Sequence, residues 1–416
     1  MKETKSKSLP VSKQMVWNAY KKVRANKGSA GIDGISLKDF ELKLEDNLYK
    51  IWNRLASGSY FPPPVKEVEI PKKDGKKRKL GIPTVGDRIA QMVIKDLVEG
   101  RFEKEFNPNS YGYRPLKSAH QALDAVRKNV RKYAWVIDLD IKGFFDNIDH
   151  ELLMLAVEKH VEERWIKMYI RRWLEMPVQT KSGKLITKQG KGTPQGGVIS
   201  PLLANLFLHY VLDKWLSIKY PEISFVRYAD DAIIHCRTQS EAEVVLKAIG
   251  DRVSECKLQL HEKKTKIAYC KDYRRKEKFE NVKFDFLGFS FKPQSMKSKL
   301  NKGMFLGFDL SISKTSRSKI VDEIRKTNLH RWTTARIEDI AEVLNPKIRG
   351  WINYYGKYRK WELNRTLRRL HQRLAKWLLN KYKRLKWSFR RAFKLLEKIK
   401  ISKPSLFAHW EAGYNL

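Results

Sequence analysis

The stretch FVRYADDAII, Phe225–Ile234, decides the fold of this chain. Two short apolar runs flank a polar centre, and each run has the composition of a β-strand. Taken alone, Asp230-Asp231 is also compatible with an ordinary hairpin turn, because Asp is a common turn former. A second strand-type run, Ala134–Ile141, contains Asp140 near its end. Charged groups beside a core are costly without a partner, so both segments are candidates for a functional site.

The composition indicates a nucleic-acid partner. The 416 residues include 86 Lys and Arg against 46 Asp and Glu, a formal net charge of +40, and 42% are hydrophobic. This apolar content excludes a disordered chain. The charge requires a polyanion, with nucleic acid expected first and an anionic membrane surface second. No run of about 18 apolar residues supports a membrane span.

Asp140, Asp230 and Asp231 form a candidate metal site. Three carboxylates brought together would repel one another, and divalent cations relieve that repulsion. Mg²⁺ prefers hard oxygen ligands and is often bound by one or two carboxylates together with substrate phosphates. Two such ions, about 3.5–4 Å apart, suit an in-line phosphoryl displacement. The three cysteines, Cys236, Cys256 and Cys270, lack metal-site spacing and are expected to be reduced thiols in a cytosolic protein.

Two further segments could bind phosphate, although each is also compatible with a plain connecting turn. Gly190–Gly197 has four glycines in eight residues, and Ser200 is predicted to cap the helix that follows, with Pro201 at its first position. Upstream, the alternating run Val65–Ile70 predicts a hairpin whose turn and return strand, Lys72–Lys79, hold six cations in eight residues.

The last quarter of the chain predicts a separate helical module with a basic face. Ser311–Leu416 contains 27 Lys and Arg against 8 Asp and Glu, and half of the twelve tryptophans. Apolar residues four and three apart form a helical seam: Leu363, Leu367, Leu370, Leu374 and Trp377. Cations lie off that seam: Arg365, Arg368, Arg369, Arg373 and Lys376. Four of them, Arg365, Arg369, Arg373 and Lys376, are the candidate nucleic-acid contacts.

Taken in order, the motifs resemble those of the reverse transcriptases encoded by group II introns. The matching segments include IPKKDGKKRKLGIPTVGDRIAQ (Ile70–Gln91), SYGYRPLKSAHQAL (Ser110–Leu123), VIDLDIKGFFDNIDH (Val136–His150), GTPQGGVISPLLANLFLHYVLD (Gly192–Asp213), FVRYADDAII, FDFLGFSF (Phe284–Phe291) and PKIRGWINYYGKY (Pro346–Tyr358). The resemblance covers about the whole chain.

This resemblance implies an α+β right-hand polymerase. An N-terminal extension and fingers would occupy residues 1–132, a palm with an antiparallel sheet 133–310, and an all-helical basic thumb or maturase domain 311–416. The implied activity is RNA-directed DNA polymerisation with two Mg²⁺ ions, together with intron RNA binding for splicing and retrohoming. Expected partners are an RNA template and intron RNA, a DNA primer or target, and dNTPs, with no membrane.

The resemblance also implies residue roles. Asp140, Asp230 and Asp231 would be the catalytic, metal-binding carboxylates. Substrate-binding roles would fall to Lys72 and Arg78 on the triphosphate, Phe145 against a ribose 2′-hydroxyl, Gln195 in the nucleotide pocket, and Lys264 near the leaving pyrophosphate. The Phe286–Gly288 segment resembles the primer grip.

Three alternatives and one departure qualify this expectation. The protein could be chiefly an RNA-binding splicing cofactor with secondary polymerase activity, or a domesticated enzyme of repair or of CRISPR spacer acquisition. The family often continues into a Cys-rich H-N-H endonuclease, which three cysteines cannot build, so second-strand cleavage is not expected. The expected location is the bacterial cytosol and nucleoid.

Overall fold

The computed structural model describes residues 8–71, 77–187, 189–298, 303–385 and 387–414. The chain divides into two compact units. Unit 1 comprises Met1–Val126 and Trp135–Ile267, and unit 2 comprises Arg127–Ala134 and Ala268–Leu416.

The helices, in chain order, are α1 (Lys13–Ala25), α2 (Leu37–Glu41), α3 (Leu44–Ala56), α4 (Val85–Glu105), α5 (Ala119–Asn129), α6 (Phe144–Asn147), α7 (His150–Glu158), α8 (Arg164–Glu175), α9 (Ser200–Leu208), α10 (Lys214–Lys219), α11 (Gln239–Glu255), α12 (Lys314–Lys326), α13 (Ile337–Tyr355), α14 (Lys360–Lys381), α15 (Phe389–Ser402) and α16 (Ala408–Glu411). The strands are β1 (Val65–Pro71), β2 (Lys77–Ile82), β3 (Trp135–Leu139), β4 (Val178–Gln179), β5 (Leu185–Ile186), β6 (Ser224–Tyr228), β7 (Asp231–Cys236), β8 (Lys266–Tyr269), β9 (Phe284–Phe286), β10 (Phe289–Lys297) and β11 (Met304–Ile312). A π-helical segment, His209–Asp213, joins α9 to α10.

The central sheet of unit 1 carries the predicted acidic segments. Its strand order is β6-β7-β3-β8, with β7 antiparallel to both β6 and β3. Apolar residues on these strands have no exposed surface, and they form the core beneath the site: Val136, Ile137, Ile233 and Ile234. The predicted antiparallel sheet is confirmed.

A second sheet of unit 1 contains the predicted basic hairpin. β1 and β2 pair antiparallel, with Ile70 opposite Arg78. β1 also pairs in parallel with the short strand β4. The strands of the hairpin are therefore confirmed, whereas its turn, including Lys72, lies outside the described residues.

The helix after the glycine-rich segment begins differently from the prediction. Ser200 is the first helical residue and Ile199 is the N-cap, so the predicted capping role of Ser200 is wrong. The reason is a competing contact, because the Ser200 hydroxyl accepts a hydrogen bond from the Thr193 hydroxyl at 2.8 Å. The apolar residues of this helix are buried, as Leu206 and Phe207 show.

Unit 2 combines a three-stranded antiparallel sheet, in the order β9-β10-β11, with helices. The segment Phe284–Phe291 forms two strands rather than one: Leu287 and Gly288 both have positive φ, +48° and +79°, and form a two-residue turn between β9 and β10. Such turns need positive φ at both central positions. The Phe286–Gly288 segment is thus the end of a strand and a turn.

The helices of unit 2 match the predicted C-terminal module. Among the described residues after Ile312, the structure contains helices and no strand. The α14 seam is buried as predicted, with Leu363, Leu367, Leu370 and Leu374 fully enclosed. In neither unit do the described residues include a helix long and apolar enough to cross a bilayer.

Candidate active site

The candidate site is centred on the turn between β6 and β7, which we call the acidic turn (Tyr228–Asp231). Ala229-Asp230 is its two-residue tip, and Ala229 has φ of +57°, as a tight hairpin turn requires. The register of β3 against β7 places Asp140, directly after β3, beside Asp231. The three predicted carboxylates are therefore found at one edge of the sheet.

The charges of this region act on one another. Burial raises the pKa of the Asp230 carboxyl, and the charge of Asp140 raises it further, while Arg78 opposes the rise. On the other side of the site, the Lys264 Nζ lies 3.1 Å from Asp140 Oδ2. The fold thus gathers Asp140, Asp230, Arg78 and Lys264 into one electrostatic neighbourhood.

The donor chemistry fits magnesium. Within the described ranges, no group of three or more His, Cys, Asp or Glu side chains is arranged to hold a metal ion as it stands. Asp140 and Asp230 nevertheless offer hard oxygen ligands of the kind that Mg²⁺ takes. The raised pKa of Asp230 reflects a buried negative charge that a divalent cation would stabilise.

Arg227 lies beneath the acidic turn with no exposed surface. Its Nε donates to Asp213 Oδ1 at 2.7 Å, and a terminal nitrogen donates to Asp213 Oδ2 at 2.5 Å. The other terminal nitrogen donates to Asn205 Oδ1 at 3.0 Å and to the Ala229 carbonyl at 2.9 Å. Asp213 ends the π-helical segment, a rare conformation that is frequent at functional sites. Arg227 therefore fixes the backbone of the turn to the layer of helices.

The segment Ser110–Gly112 packs against the other side of the acidic turn. The Tyr111 N–H donates to the Arg227 carbonyl at 2.8 Å. A Cβ at position 112 would lie only 2.4 Å from the Ala229 amide nitrogen, so the backbone approach requires glycine. The turn is thus held by the Arg227 side chain and by the close backbone approach of Gly112.

The glycine-rich loop, Gly190–Gly197, forms hydrogen bonds with both β2 and α6. Gln195 Oε1 accepts a hydrogen bond from Arg78 Nε at 2.5 Å, and Gln195 Nε2 donates to Asp146 Oδ1 at 3.2 Å. The Gly81 N–H also donates to the Gln195 carbonyl at 2.9 Å. At Gly196, φ is +128° and a Cβ would lie 2.6 Å from the Gly81 oxygen, which explains the glycine. Two predicted substrate residues, Arg78 and Gln195, are therefore in direct contact.

Phe145 is positioned by the same loop. Its carbonyl accepts a hydrogen bond from the Thr193 N–H at 2.8 Å, and its ring lies 5.3 Å from that of Phe144. Only 6% of Phe145 is exposed. Most of the ring therefore packs against protein, which limits its movement.

A buried network that the sequence did not reveal supports the loop from below. Asp87 accepts hydrogen bonds from Trp173 Nε1 at 2.8 Å, the Tyr60 hydroxyl at 2.9 Å and Gln91 Nε2 at 2.9 Å. Burial raises its pKa to about 6 in spite of these bonds. Gln91 Oε1 then accepts the Val198 N–H at 2.7 Å. The only sequence signal for this network was the pair Asp87 and Gln91, two polar residues four positions apart in an apolar stretch.

The predicted RNA contacts of unit 2, which we call the α14 cation row, are Arg365, Arg369, Arg373 and Lys376. Within the described residues, none of the four pairs with an acidic side chain. Three of them line one groove of about 480 Å³ between α12, α14 and α15, whereas Arg365 is exposed outside it. Phe389 and Phe393 also line this groove.

Comparison with known families decides the relationship. A model described as reverse transcriptase (RNA-dependent DNA polymerase) matches residues 70–291, more than half of the chain. The chain belongs to the reverse transcriptase family. A second model, the maturase-specific domain of group II introns, matches residues 317–393 of this reverse transcriptase. The first match includes the predicted carboxylates and substrate residues, and the second includes the α14 cation row.

Relatives agree with this placement. Protein YkfC of Escherichia coli (strain K12) is 31% identical over 279 residues, which cover 58% of this chain and 73% of YkfC. The group II intron-encoded protein LtrA of Lactococcus lactis subsp. cremoris is 33% identical over 258 residues, 60% of this chain but only 42% of LtrA. Among solved structures, a Candida albicans telomerase aligns at 12% identity with a TM-score of 0.48, over 90% of this chain and 67% of that chain.

Both predictions that concern the whole chain are confirmed. The reverse transcriptase is an α+β protein with antiparallel sheets and a helical C-terminal module, and its two matches are those of an RNA-dependent DNA polymerase and an intron maturase domain. The sequence missed the residues that position the site rather than those that would react: Asp87, Gln91, Asp213 and Arg227.

Proposed function

We propose that the protein copies RNA into DNA at the acidic turn and uses unit 2 to bind intron RNA during splicing and retrohoming. The observation that carries the proposal is the grouping of Asp140, Asp230 and Asp231 at one sheet edge, close to Arg78 and Lys264. A polymerase site needs carboxylates for metal and cations for the triphosphate, and this arrangement offers both.

Asp140, Asp230 and Asp231 would hold two Mg²⁺ ions. Bound magnesium would lower the pKa of the primer 3′-hydroxyl and offset the negative charge of the triphosphate. The protein's own residues contribute by holding the carboxylates in position. Arg227 and Asp213 hold the turn below the carboxylates, and Lys264 supplies a positive charge next to Asp140.

Five residues would contact or orient the incoming nucleotide. Arg78, oriented by Gln195, offers its guanidinium to the phosphates, and Lys72 would add a second positive charge. Phe145 would block a ribose 2′-hydroxyl, because its ring is packed and cannot move aside. Lys264 would meet the leaving pyrophosphate.

The nucleic acids would be held through their backbones. Template RNA, intron RNA and a DNA primer carry phosphates, and the α14 cation row offers four cations without acidic partners among the described residues. The division into fingers (1–132), palm (133–310) and thumb (311–416) and a cytosolic location belong to the same proposal. A maturase role beside polymerisation is favoured by the match at 317–393.

Primer extension on an RNA template tests the polymerase assignment. Asp230→Asn should reduce Mg²⁺-dependent extension by more than about a hundredfold, the loss expected for one essential electrostatic group. RNA affinity should stay near that of the parent, because the cation row is untouched. Asp251→Asn, an exposed position on α11, is the matched control and should extend normally. Near-parent extension by the Asp230 variant would refute the assignment.

A further inference from the structure

A cavity of about 670 Å³ lies at the beginning of α14, within unit 2. Three aromatic side chains line it, Tyr358, Trp361 and Tyr414, beside the cations Lys297, Arg359 and Lys360. This volume is within the range of small-ligand sites. An aromatic and cationic lining matches the two parts of a nucleotide, the planar base and the phosphate.

Trp361 is the unusual member of this lining. It is 58% exposed, although it lies on a helix whose other face is buried in the core of unit 2. Within the part of unit 2 that the structure describes, it has no aromatic neighbour and no side-chain hydrogen bond. Large aromatics usually bury their surface, so an exposed indole face on the wall of a cavity is available for stacking.

The charge of the cavity favours an anion. Its carboxylate, Asp309, is only 4% exposed and is already held by Arg127, at 2.7 Å and 3.0 Å. Arg359 lies 3.7 Å from the same carboxylate, and Lys360 donates to the Ala412 carbonyl at 2.6 Å. Arg127 thus offsets the negative charge, and the remaining cations give the cavity a positive potential.

Two polar atoms in the wall lack partners. The Asn364 Oδ1 and the Arg359 Nε are shielded from solvent and make no hydrogen bond in the structure. Buried polar groups are seldom left in this condition. A small side-chain movement on binding would expose this acceptor and this donor to the amino group of a base and to a phosphate or sugar oxygen.

We infer that this cavity, which we call the nucleotide pocket, takes one unpaired nucleotide of a bound RNA. The base would stack on Trp361, and the phosphate would lie among Lys297, Arg359 and Lys360. A nucleotide in a helix is stacked and paired, so the pocket selects bulged or loop positions of structured RNA. The inference rests on the RNA-binding role proposed above for unit 2, and adds a selective site to the sequence-independent contacts of the α14 cation row.

Binding of two hairpin RNAs to the full-length protein tests the pocket. One hairpin carries a single bulged 2-aminopurine, a fluorescent adenine analogue, and the other is fully paired. The parent should bind the bulged RNA about tenfold more tightly, since stacking of one base contributes about 1–3 kcal/mol. Fluorescence of the bulged base should fall on binding, because stacking on an indole quenches it.

Trp361→Ala should remove both the preference and the quenching, and should leave the affinity for the paired hairpin unchanged. Trp387→Ala is the matched control, since Trp387 is also in unit 2, is 74% exposed and lies outside the pocket. Equal binding of the two RNAs by the parent, or equal weakening of both by Trp361→Ala, overturns the inference.

Competition by adenosine monophosphate tests whether the pocket binds a nucleotide of an RNA or a free nucleotide. At millimolar concentration it should displace the bulged RNA only weakly, because it lacks the flanking phosphates. Micromolar competition would instead indicate a site for free nucleotides and would overturn the RNA assignment. Failure of the proposed polymerase function would appear separately, as absence of primer extension by the parent. Trp361→Ala should extend a short, unstructured template at the parent rate.

Discussion

The acidic turn and the α14 cation row use charge in opposite ways. Asp230 is half-buried, and Arg227 beneath it makes four hydrogen bonds, to Asp213, Asn205 and Ala229. In contrast, the cations of the α14 row have no acidic partner among the described residues, and the apolar seam of the same helix carries the packing. One region has its geometry fixed by buried polar contacts, and the other leaves long side chains free to adapt.

This difference corresponds to the two tasks proposed for the molecule. Phosphoryl transfer depends on placing reacting groups accurately, because a small displacement costs a large part of the rate. Phosphate binding through exposed Lys and Arg depends on the number of contacts rather than on one geometry. Substitutions in the first region should therefore affect stability and chemistry together, whereas substitutions in the second should affect only affinity.

The largest effect is expected at Arg227. Arg227→Met would leave Asp213 charged in the core with only the His209 ring nearby, at 4.0 Å, and losing the partner of a buried charge typically costs about 3–5 kcal/mol of unfolding free energy. Extension should also be lost, since the Ala229 carbonyl loses its anchor. Urea denaturation and single-turnover extension measure the two consequences.

A double variant separates stability from position. Arg227→Met combined with Asp213→Leu removes the unpaired charge, so most of the stability should return. Extension should remain low, because nothing then holds the turn. If activity recovered in parallel with stability, Arg227 would act only through folding and the contrast between the two regions would lose its basis.

The next largest effect is expected in how Asp87 makes the free energy of unfolding depend on pH. Its pKa is raised by burial from 3.8 to about 6, so the native state binds this proton more tightly than the unfolded chain does. The resulting stabilisation is complete below about pH 3.8 and is lost as pH rises through about 6. It corresponds to about 3 kcal/mol. Asp87→Asn stays neutral, so the stability of the parent relative to this variant should fall by most of that amount between pH 4 and 7.

Thermal unfolding of both proteins across this range gives the difference directly and cancels the other titrating groups. A constant difference would mean that Asp87 titrates normally. Because Gln91 connects Asp87 with the Val198 N–H, the variant should also raise KM for dNTP at pH 7. Tyr169, which donates to the Leu55 carbonyl at 2.8 Å and does not contact the loop, offers Tyr169→Phe as the control.

Local patterns predicted the strands and the segments that carry the site. The runs around Asp140 and Asp230 are short and apolar, so neighbouring residues determine their conformation. A local pattern is misleading at Leu287-Gly288, where apolar residues continue to alternate with a period of two through a turn. The capping prediction for Ser200 failed for another reason, because a tertiary contact from Thr193 competed with capping.

Residues that support the site were not predictable in this way. Arg227 and Asp213 are fourteen positions apart and meet only because a π-helical segment and a strand are stacked. Asp87 reaches the glycine-rich loop through Gln91, across more than a hundred residues of sequence. Such contacts depend on the completed fold, and a single sequence carries no periodic signal for them.

A smaller effect is expected for sugar selection at Phe145. Phe145→Val should raise the use of rNTP relative to dNTP, because it opens space beside the sugar 2′ position. The change in the ratio of kcat/KM values should be about 10–200-fold, the range for small steric differences in a pocket. Phe144→Val removes a similar buried ring from the neighbouring position and is the control. Equal ratios in both variants would place the gate at another residue.

The smallest effect on stability, and the clearest on RNA affinity, is expected in the α14 cation row. Changing Arg365, Arg369, Arg373 and Lys376 together to Gln should weaken binding of structured RNA by about tenfold or more at moderate salt. The log–log dependence on salt should also flatten, by about 0.7–0.9 for each phosphate that the variant no longer binds. Unfolding temperature should barely change, because the four cations have no acidic partners among the described residues and only Arg373 is half-buried.

Removing four charges anywhere lowers the long-range attraction to RNA, so the control must have the same net charge. Four exposed lysines from scattered positions in unit 1, namely Lys50, Lys104, Lys219 and Lys247, serve this purpose when changed to Gln. Fluorescence anisotropy at three salt concentrations then compares parent, row variant and control. A row of specific phosphate contacts predicts a flatter slope for the row variant than for the control. Coincident slopes would mean that α14 contributes only net charge, and the RNA would then have to be gripped elsewhere in the protein.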